Sequence, residues 1–233
     1  MIHVELESIA HPDARILDVG GKDGNKVAEI KGKTVTIDMN LEPSFKTVEY
    51  ISCDGRRMPF SDDTFDIIHC QQVLEHVSGK EELIAQCARV LKPDGIAHFS
   101  FPNRLTPIKP HALPRFWSIL PRNIGVPLAK RVLSEKLAMY YERHSYNLSP
   151  IGARRVLHPN FDQVEYISME LTSKFRDLQR GRDPERYQAS AVGRLMGEAI
   201  PLIDAVRKIT GIKQLIEVFY PGVMYRCRGP KPM

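Results

Sequence analysis

The residues best suited to chemistry in this 233-residue chain begin with Asp18-Val19-Gly20-Gly21-Lys22-Asp23-Gly24, which closes the aliphatic run Arg15-Ile16-Leu17-Asp18-Val19. An acidic residue at a strand end, followed by closely spaced glycines, lets backbone approach a ligand at a helix N-terminus. Several kinds of nucleotide-binding turn share that pattern, so by itself it fixes only a broad ligand class. Twenty residues after Asp18, Asp38 ends the next β-branched run. A carboxylate there can accept hydrogen bonds from both hydroxyls of a ribose. Cys53-Asp54-Gly55 closes a third run, and the Asp54 side chain can accept a hydrogen bond from an adenine amino group.

Strand tips are needed to hold these groups. The pattern predicts strands at residues 15–19, 34–38, 47–51, 65–70 and 96–101, with a short helix over 25–30 and an amphipathic helix over 81–91. Lys92-Pro93-Asp94-Gly95 reads as a helix stop and turn. Strands separated by helices imply right-handed crossovers, hence a mostly parallel sheet covered on both faces, with ligands outside its carboxyl edge. Prolines at 107, 110, 114, 121 and 127 then break the pattern, and an amphipathic stretch runs from Val126 to Arg143. Ser149-Pro150 opens a helix to Leu157, serine as cap and proline in the first turn. Residues 161–171 supply a sixth strand, 186–218 one or two helices, and 221–228 a seventh strand. The fold expected is a Rossmann-like α/β domain with a seven-stranded, mostly parallel sheet and a helical lid insertion. Residues 1–103 form its ligand-binding part, 104–148 the basic, proline-rich insertion, and 149–233 the completion of the same domain.

Composition excludes several alternatives. No apolar run approaches the roughly 20 residues that span a bilayer. The first residues, Met1-Ile2-His3-Val4-Glu5, lack the blocks of a signal peptide. Four scattered cysteines, Cys53, Cys70, Cys87 and Cys227, show no metal-ligand spacing and read as reduced, in a cytoplasmic, metal-free protein. The net charge of +5 is uneven: residues 104–158 hold ten Lys/Arg against Glu135 and Glu142, or +8, leaving −3 for the rest. An anionic partner should therefore meet the insertion.

The order and wording of these segments resemble the class I S-adenosylmethionine (SAM)-dependent methyltransferases, in particular the methyltransferase type 11 group. The matching stretches are residues 16–20, Asp38, Asp54-Gly55-Arg56-Arg57-Met58-Pro59-Phe60, residues 63–68, Val73-Leu74-Glu75-His76-Val77, and residues 89–95. The resemblance covers about residues 10–103. It implies SAM as cofactor, with Asp18, Gly20, Gly21 and Gly24 shaping the loop under its methionine part and Asp38 holding the ribose. It also implies Asp54 and Gly55 beside adenine, and Cys70 and Gln71 beside the sulfonium. One departure is Lys22, which stands where the family's loop, D-x-G-x-G-x-G, has its middle glycine. Either Gly21 supplies the flexibility while Lys22 points outward or meets the SAM carboxylate, or the pocket is impaired.

Methyl transfer from a sulfonium needs positioning above all, and a base only where the acceptor must lose a proton. His76, His111 and His144 are the candidate bases. Neither an Asn/Asp-Pro-Pro-aromatic segment nor a Pro-Cys pair is present, which disfavours a nucleobase acceptor. The expectation is O- or N-methylation of a small molecule, anionic or lipid- or sugar-linked, with peripheral contact to an anionic membrane through residues 104–143. The alternative is a SAM-fold protein that binds or regulates without transferring methyl groups. A nicotinamide dehydrogenase would leave the 54–60 and 74–77 matches unexplained.

Overall fold

The central runs pair as a sheet because they are buried on both faces, which is stable only between two layers. In the computed structural model, residues 2–104, 120–144, 148–168, 170–171 and 222–232 are described. Their strands are β1 (Arg15–Val19), β2 (Lys33–Asp38), β3 (Val48–Ser52), β4 (Phe65–Gln71), β5 (Leu91–Pro102), β6 (Phe161–Tyr166) and β7 (Gly222–Pro230). They lie in the order β3-β2-β1-β4-β5-β7-β6. The first five are mutually parallel, and β7 is antiparallel to both its neighbours. The seven-stranded, mostly parallel sheet expected from sequence is therefore present.

The described helices are α1 (Ile2–Ile9), α2 (Lys80–Val90), α3 (Arg122–Val132), α4 (Glu135–His144) and α5 (Pro150–Leu157). One sheet face packs Leu17, Ile68, Phe99 and Tyr225 with Leu83, Ile84 and Cys87 of α2 and Ala153 and Leu157 of α5. The other face gathers Ile16, Ile67 and Met224 under Leu6 of α1, Val27, Ile30 and Leu171. Helix α5 begins as predicted: the Ser149 hydroxyl accepts the Gly152 N–H at 3.0 Å, a cap worth about 1 kcal/mol.

Several local expectations are corrected. Residues 25–30 are a staircase of turns, not a helix, with Gly24, Val27 and Ile30 each donating to the carbonyl three residues earlier. The seven residues between Gly24 (φ +74°) and Gly32 (φ +141°) make at most a short, marginal helix, and the three-residue rhythm buries Val27 and Ile30 equally well. The Lys92–Gly95 segment does end α2, but the chain has already begun β5 at Leu91; the four residues fall within that strand, at an irregularity in its pairing with β4. Strand β6 stops at Tyr166, since Ile167 and Leu171 turn helically beneath the sheet. The 126–143 stretch is two helices, broken at Leu133-Ser134 and packed through Ala129, Ala138 and Tyr141. Helix α1 went unanticipated. The helices expected over 186–218 lie outside the described residues.

A polar row crosses the sheet in register: Tyr50, Thr36, Asp18, His69, His98, Arg226 and Glu165, one from each strand. Paired residues share a face, so these side chains line the α1 side. Glu5 of α1 descends onto the row, with its Oε1 3.1 Å from His98 Nε2 and 2.5 Å from Arg226 Nε.

Candidate functional site

The strand order reverses between β1 and β4: the chain leaves β1 toward β2 and later returns to its other side as β4. A crevice must open outside the carboxyl ends there. It holds a cleft of about 380 Å³, within the size range of small-molecule sites. Val19, Ile37 and Leu83 give it apolar walls; Asp38, Asn40, Asp54, Gln72 and His76 give it polar ones.

Four of the ten candidate cofactor residues, Gly20, Asp38, Asp54 and Gly55, meet in this cleft. Asp38 Oδ1 accepts the Asn40 N–H at 2.8 Å, leaving Oδ2 available for a ligand hydroxyl. Asp54 is gripped by Arg56 through the backbone N–H (2.9 Å), Nε (3.0 Å) and Nη2 (2.6 Å). Those hydrogen bonds hold its carboxyl down at about 2, so it stays ionised and can only accept. A Cβ on Gly55 would meet Leu83 and Val19, two walls of the cleft.

The glycine loop is built on Asp18. Its side chain is fully buried, and neither carboxylate oxygen makes a hydrogen bond. Burial pushes the carboxyl up to about 7, opposed by the nearby Lys26 ammonium. The Asp18 carboxylate fills the place a Cβ on Gly21 would need, and Val73 fills that of Gly20, whose φ is +70°. Gly24 (φ +74°) lies beneath Tyr50, whose hydroxyl donates to Asp23 O at 2.7 Å and accepts from the Phe45 N–H at 3.1 Å. Asp18, Gly21 and Gly24 thus shape the loop from behind without lining the cleft.

Lys22 takes φ +50°, the left-handed conformation that favours glycine. The loop keeps a glycine-like backbone although the side chain has changed. The Lys22 ammonium pairs with exposed Glu42 at 2.9 Å, outside the cleft, which favours the outward reading. No helix follows the loop directly, so the helix N-terminus expected there is missing, and a ligand would meet loop backbone alone.

Cys70 and Gln71 do not line the cleft; Gln72, in a left-handed turn at φ +60°, does. The Cys70 thiol, expected beside the sulfonium, is instead buried in the core. It sits with Leu74 and Cys87 on the α2 side of the sheet, where burial pushes its pKa well up. The Gln71 carbonyl accepts from the Lys26 ammonium at 3.1 Å.

Of the histidines, His76 lines the cleft, with its Nε2 3.9 Å from the carboxylate of buried Glu75. His111 and the His144 side chain lie outside the described residues. Sequence reasoning missed Asn40, Gln72, Val73 and Leu83. Asp38-x-Asn40 carries a turn signature that could have found the first, whereas Gln72 follows from the path of β4 alone. It also missed Lys80, buried at the start of α2, where burial depresses its ammonium to about 8 and it donates to the Val77 carbonyl at 2.8 Å.

Residues 17–99 match a family model described as a methyltransferase domain. One curated relative is the ubiquinone/menaquinone biosynthesis C-methyltransferase UbiE of Vibrio vulnificus (strain YJ016), 32% identical over 114 residues, 40% of this chain and 44% of that protein. Its counterpart in Shewanella sp. (strain W3-18-1) is 27% identical over 193 residues, 72% of this chain and 74% of the relative. A solved structure, phosphoethanolamine N-methyltransferase 2 of Haemonchus contortus in complex with S-adenosyl-L-methionine, superposes with a TM-score of 0.55 at 15% identity, covering 99% of this chain and 52% of that one. That likeness concerns the fold. The chain spans less than half the length of the first curated relatives it matches. Sheet order and motif order agree with that match: residues 17–99 are similar to a methyltransferase domain, and the fold is that of SAM-dependent methyltransferases of known structure.

Proposed function

We propose that the chain transfers a methyl group from SAM, bound in the cleft between Gly20, Asp38 and Asp54, to a small acceptor. The observation that carries this reading is the pair of carboxylates on neighbouring strand tips: Asp38 with one oxygen available, Asp54 held ionised, both on one cleft. Asp38 would accept the ribose hydroxyls. Asp54 would use its remaining lone pairs for the adenine amino group, between the apolar walls of Val19 and Leu83. Gly20 would bring backbone close to the methionine part, with Gly21 shaping the loop behind it. SAM, when bound, supplies an electrophilic methyl on a sulfonium that is already a good leaving group. The protein's work is then to orient the donor, exclude water and hold the acceptor in line.

His76 is the base we assign where the acceptor carries a proton, since it borders the cleft with a buried carboxylate beside it. The same reading takes residues 104–148 as a basic insertion between the donor-binding part (1–103) and the completion of the domain (149–233). The basic excess of that insertion supports an anionic or lipid- or sugar-linked acceptor methylated at oxygen or nitrogen. The C-methyltransferase name of the curated relatives supports carbon as a second reading.

Calorimetry with S-adenosylhomocysteine tests the donor site. The wild type should bind, and Asp38→Ala should bind about 10- to 100-fold more weakly, as for the loss of a charge-assisted hydrogen-bond acceptor. Equal affinity in the two proteins would remove Asp38 from the site. Labelled-methyl transfer to fractionated small molecules then separates an enzyme from a SAM-binding module.

A further inference from the structure

We propose that the outer face of the α3–α4 hairpin docks on the surface of an anionic lipid bilayer. Helix α3 buries Gly125 and Ala129 against α4. Ile124, Leu128 and Val132 recur every fourth residue beside that contact and remain 54%, 39% and 62% exposed. Spacing of four places them in one stripe along the helix. Packing among the described residues does not use it, so three bulky aliphatic side chains form an exposed apolar stripe.

Charge identifies the occupant. Residues 122–144 hold five Lys/Arg against two Glu. Arg131 lies one helical turn from Leu128, and Lys136 is exposed at the start of α4. Lys130 pairs with Glu142 at 2.8 Å, which removes one of the two carboxylates as a counter to the remaining cations. A second copy of the chain, meeting this face by a two-fold axis, would set positive against positive. Nucleic acid would call for aromatic platforms, and the stripe is aliphatic. An anionic headgroup layer suits both features, apolar side chains entering the acyl boundary and cations staying with the phosphates.

The hairpin also stands where docking would matter. The Arg104 guanidinium, just past β5, donates to Leu120 O at 2.8 Å, and its backbone N–H to Leu148 O at 3.0 Å. Arg122 lies near enough to Lys80 to bear on its charge. The hairpin therefore springs from the carboxyl edge of the sheet, the edge that carries the cleft. Three aliphatic residues anchor weakly, so binding should need the lipid charge as well.

Flotation of the full chain with phosphatidylcholine vesicles, with and without a third of phosphatidylglycerol, tests this without any methyl transfer. Binding to the anionic vesicles at low salt, weakened by added salt and absent on neutral vesicles, is the expected result. Arg131→Glu with Lys136→Glu should lower the partition coefficient at least about tenfold, at about 1 kcal/mol per cation removed from the surface. Ile124→Ser with Leu128→Ser should lower it comparably while leaving the melting temperature unchanged, because both positions are exposed. Failure to bind anionic vesicles at low salt overturns the proposal, as does a serine variant that binds like the wild type. So does a wild-type dimer that the serine pair converts to a monomer, which would assign the stripe to a second copy. S-adenosylhomocysteine binding in each variant reports separately on the methyltransferase reading.

Discussion

Asp18 and Lys22 sit four residues apart in the same loop and illustrate opposite ways a side chain can serve a backbone. Lys22 holds a left-handed conformation and spends its charge on Glu42, in water. The loop tolerates it because the side chain leaves the cleft. Asp18 does its work by being buried: its carboxylate occupies the space that makes Gly21 obligatory. Its folded pKa of about 7 stands above the unfolded value of about 3.9. The folded state therefore keeps a proton that the unfolded chain has lost between those values. The stabilisation associated with that proton is complete below the unfolded pKa and is lost as pH rises to the folded one. Asp18→Asn has no such proton to lose. Without ligand, its stability relative to wild type should climb by a few kcal/mol (order of magnitude) between about pH 4 and 7, measured by urea denaturation across that range. A difference that stays flat with pH would show that Asp18 titrates normally.

At the scale of elements, the glycine turn after β1 is a packing unit more than a flexible loop. Val73 closes over Gly20, Asp18 over Gly21, and Tyr50 over Gly24. Each glycine answers to a side chain of a different strand or of the turn after it, which ties β1, β3 and β4 together beside the cleft. Gly21→Ala should destabilise the protein by about 1–3 kcal/mol, the usual cost of forcing a methyl into filled space, read by chemical denaturation. A change under about 0.5 kcal/mol would mean the Asp18 carboxylate can step aside.

At the scale of the molecule, the polar row on the α1 face ties the N-terminal helix to the far end of the chain. Burial pushes the Glu5 carboxyl up, but the hydrogen bonds and charges of His98 and Arg226 outweigh it and hold it below its ordinary value. A carboxyl lowered on folding stabilises above its unfolded pKa and loses that contribution as pH falls through the folded one. Glu5→Ala leaves His98 and Arg226 with less compensation and should cost about 3 kcal/mol; Glu165, 2.9 Å from Arg226, limits the loss. Hydrogen exchange should find α1 opening first in that variant, and in the wild type at acid pH. Uniform loss of protection across α1 and β5 would instead make the row part of one global unit.

The sequence by itself determined the class of fold and the strand tips that matter, because periodicity and turn residues are local properties. Asp38 and Asp54 were legible for that reason: each ends an apolar run, and a parallel sheet brings such ends to one edge. Family wording added the cofactor. Tertiary structure decided what local pattern cannot carry. Cys70 and Gln72 lie two residues apart, yet one is core and the other cleft, because a left-handed turn at Gln72 redirects the chain. The Gly21 requirement comes from a carboxylate folded back upon it, and residues 25–30 are turns because flanking glycines and burial outweigh a weak helical pattern. The seven-strand polar row and the Glu5 contact join residues far apart in sequence, so only the register of the sheet could reveal them.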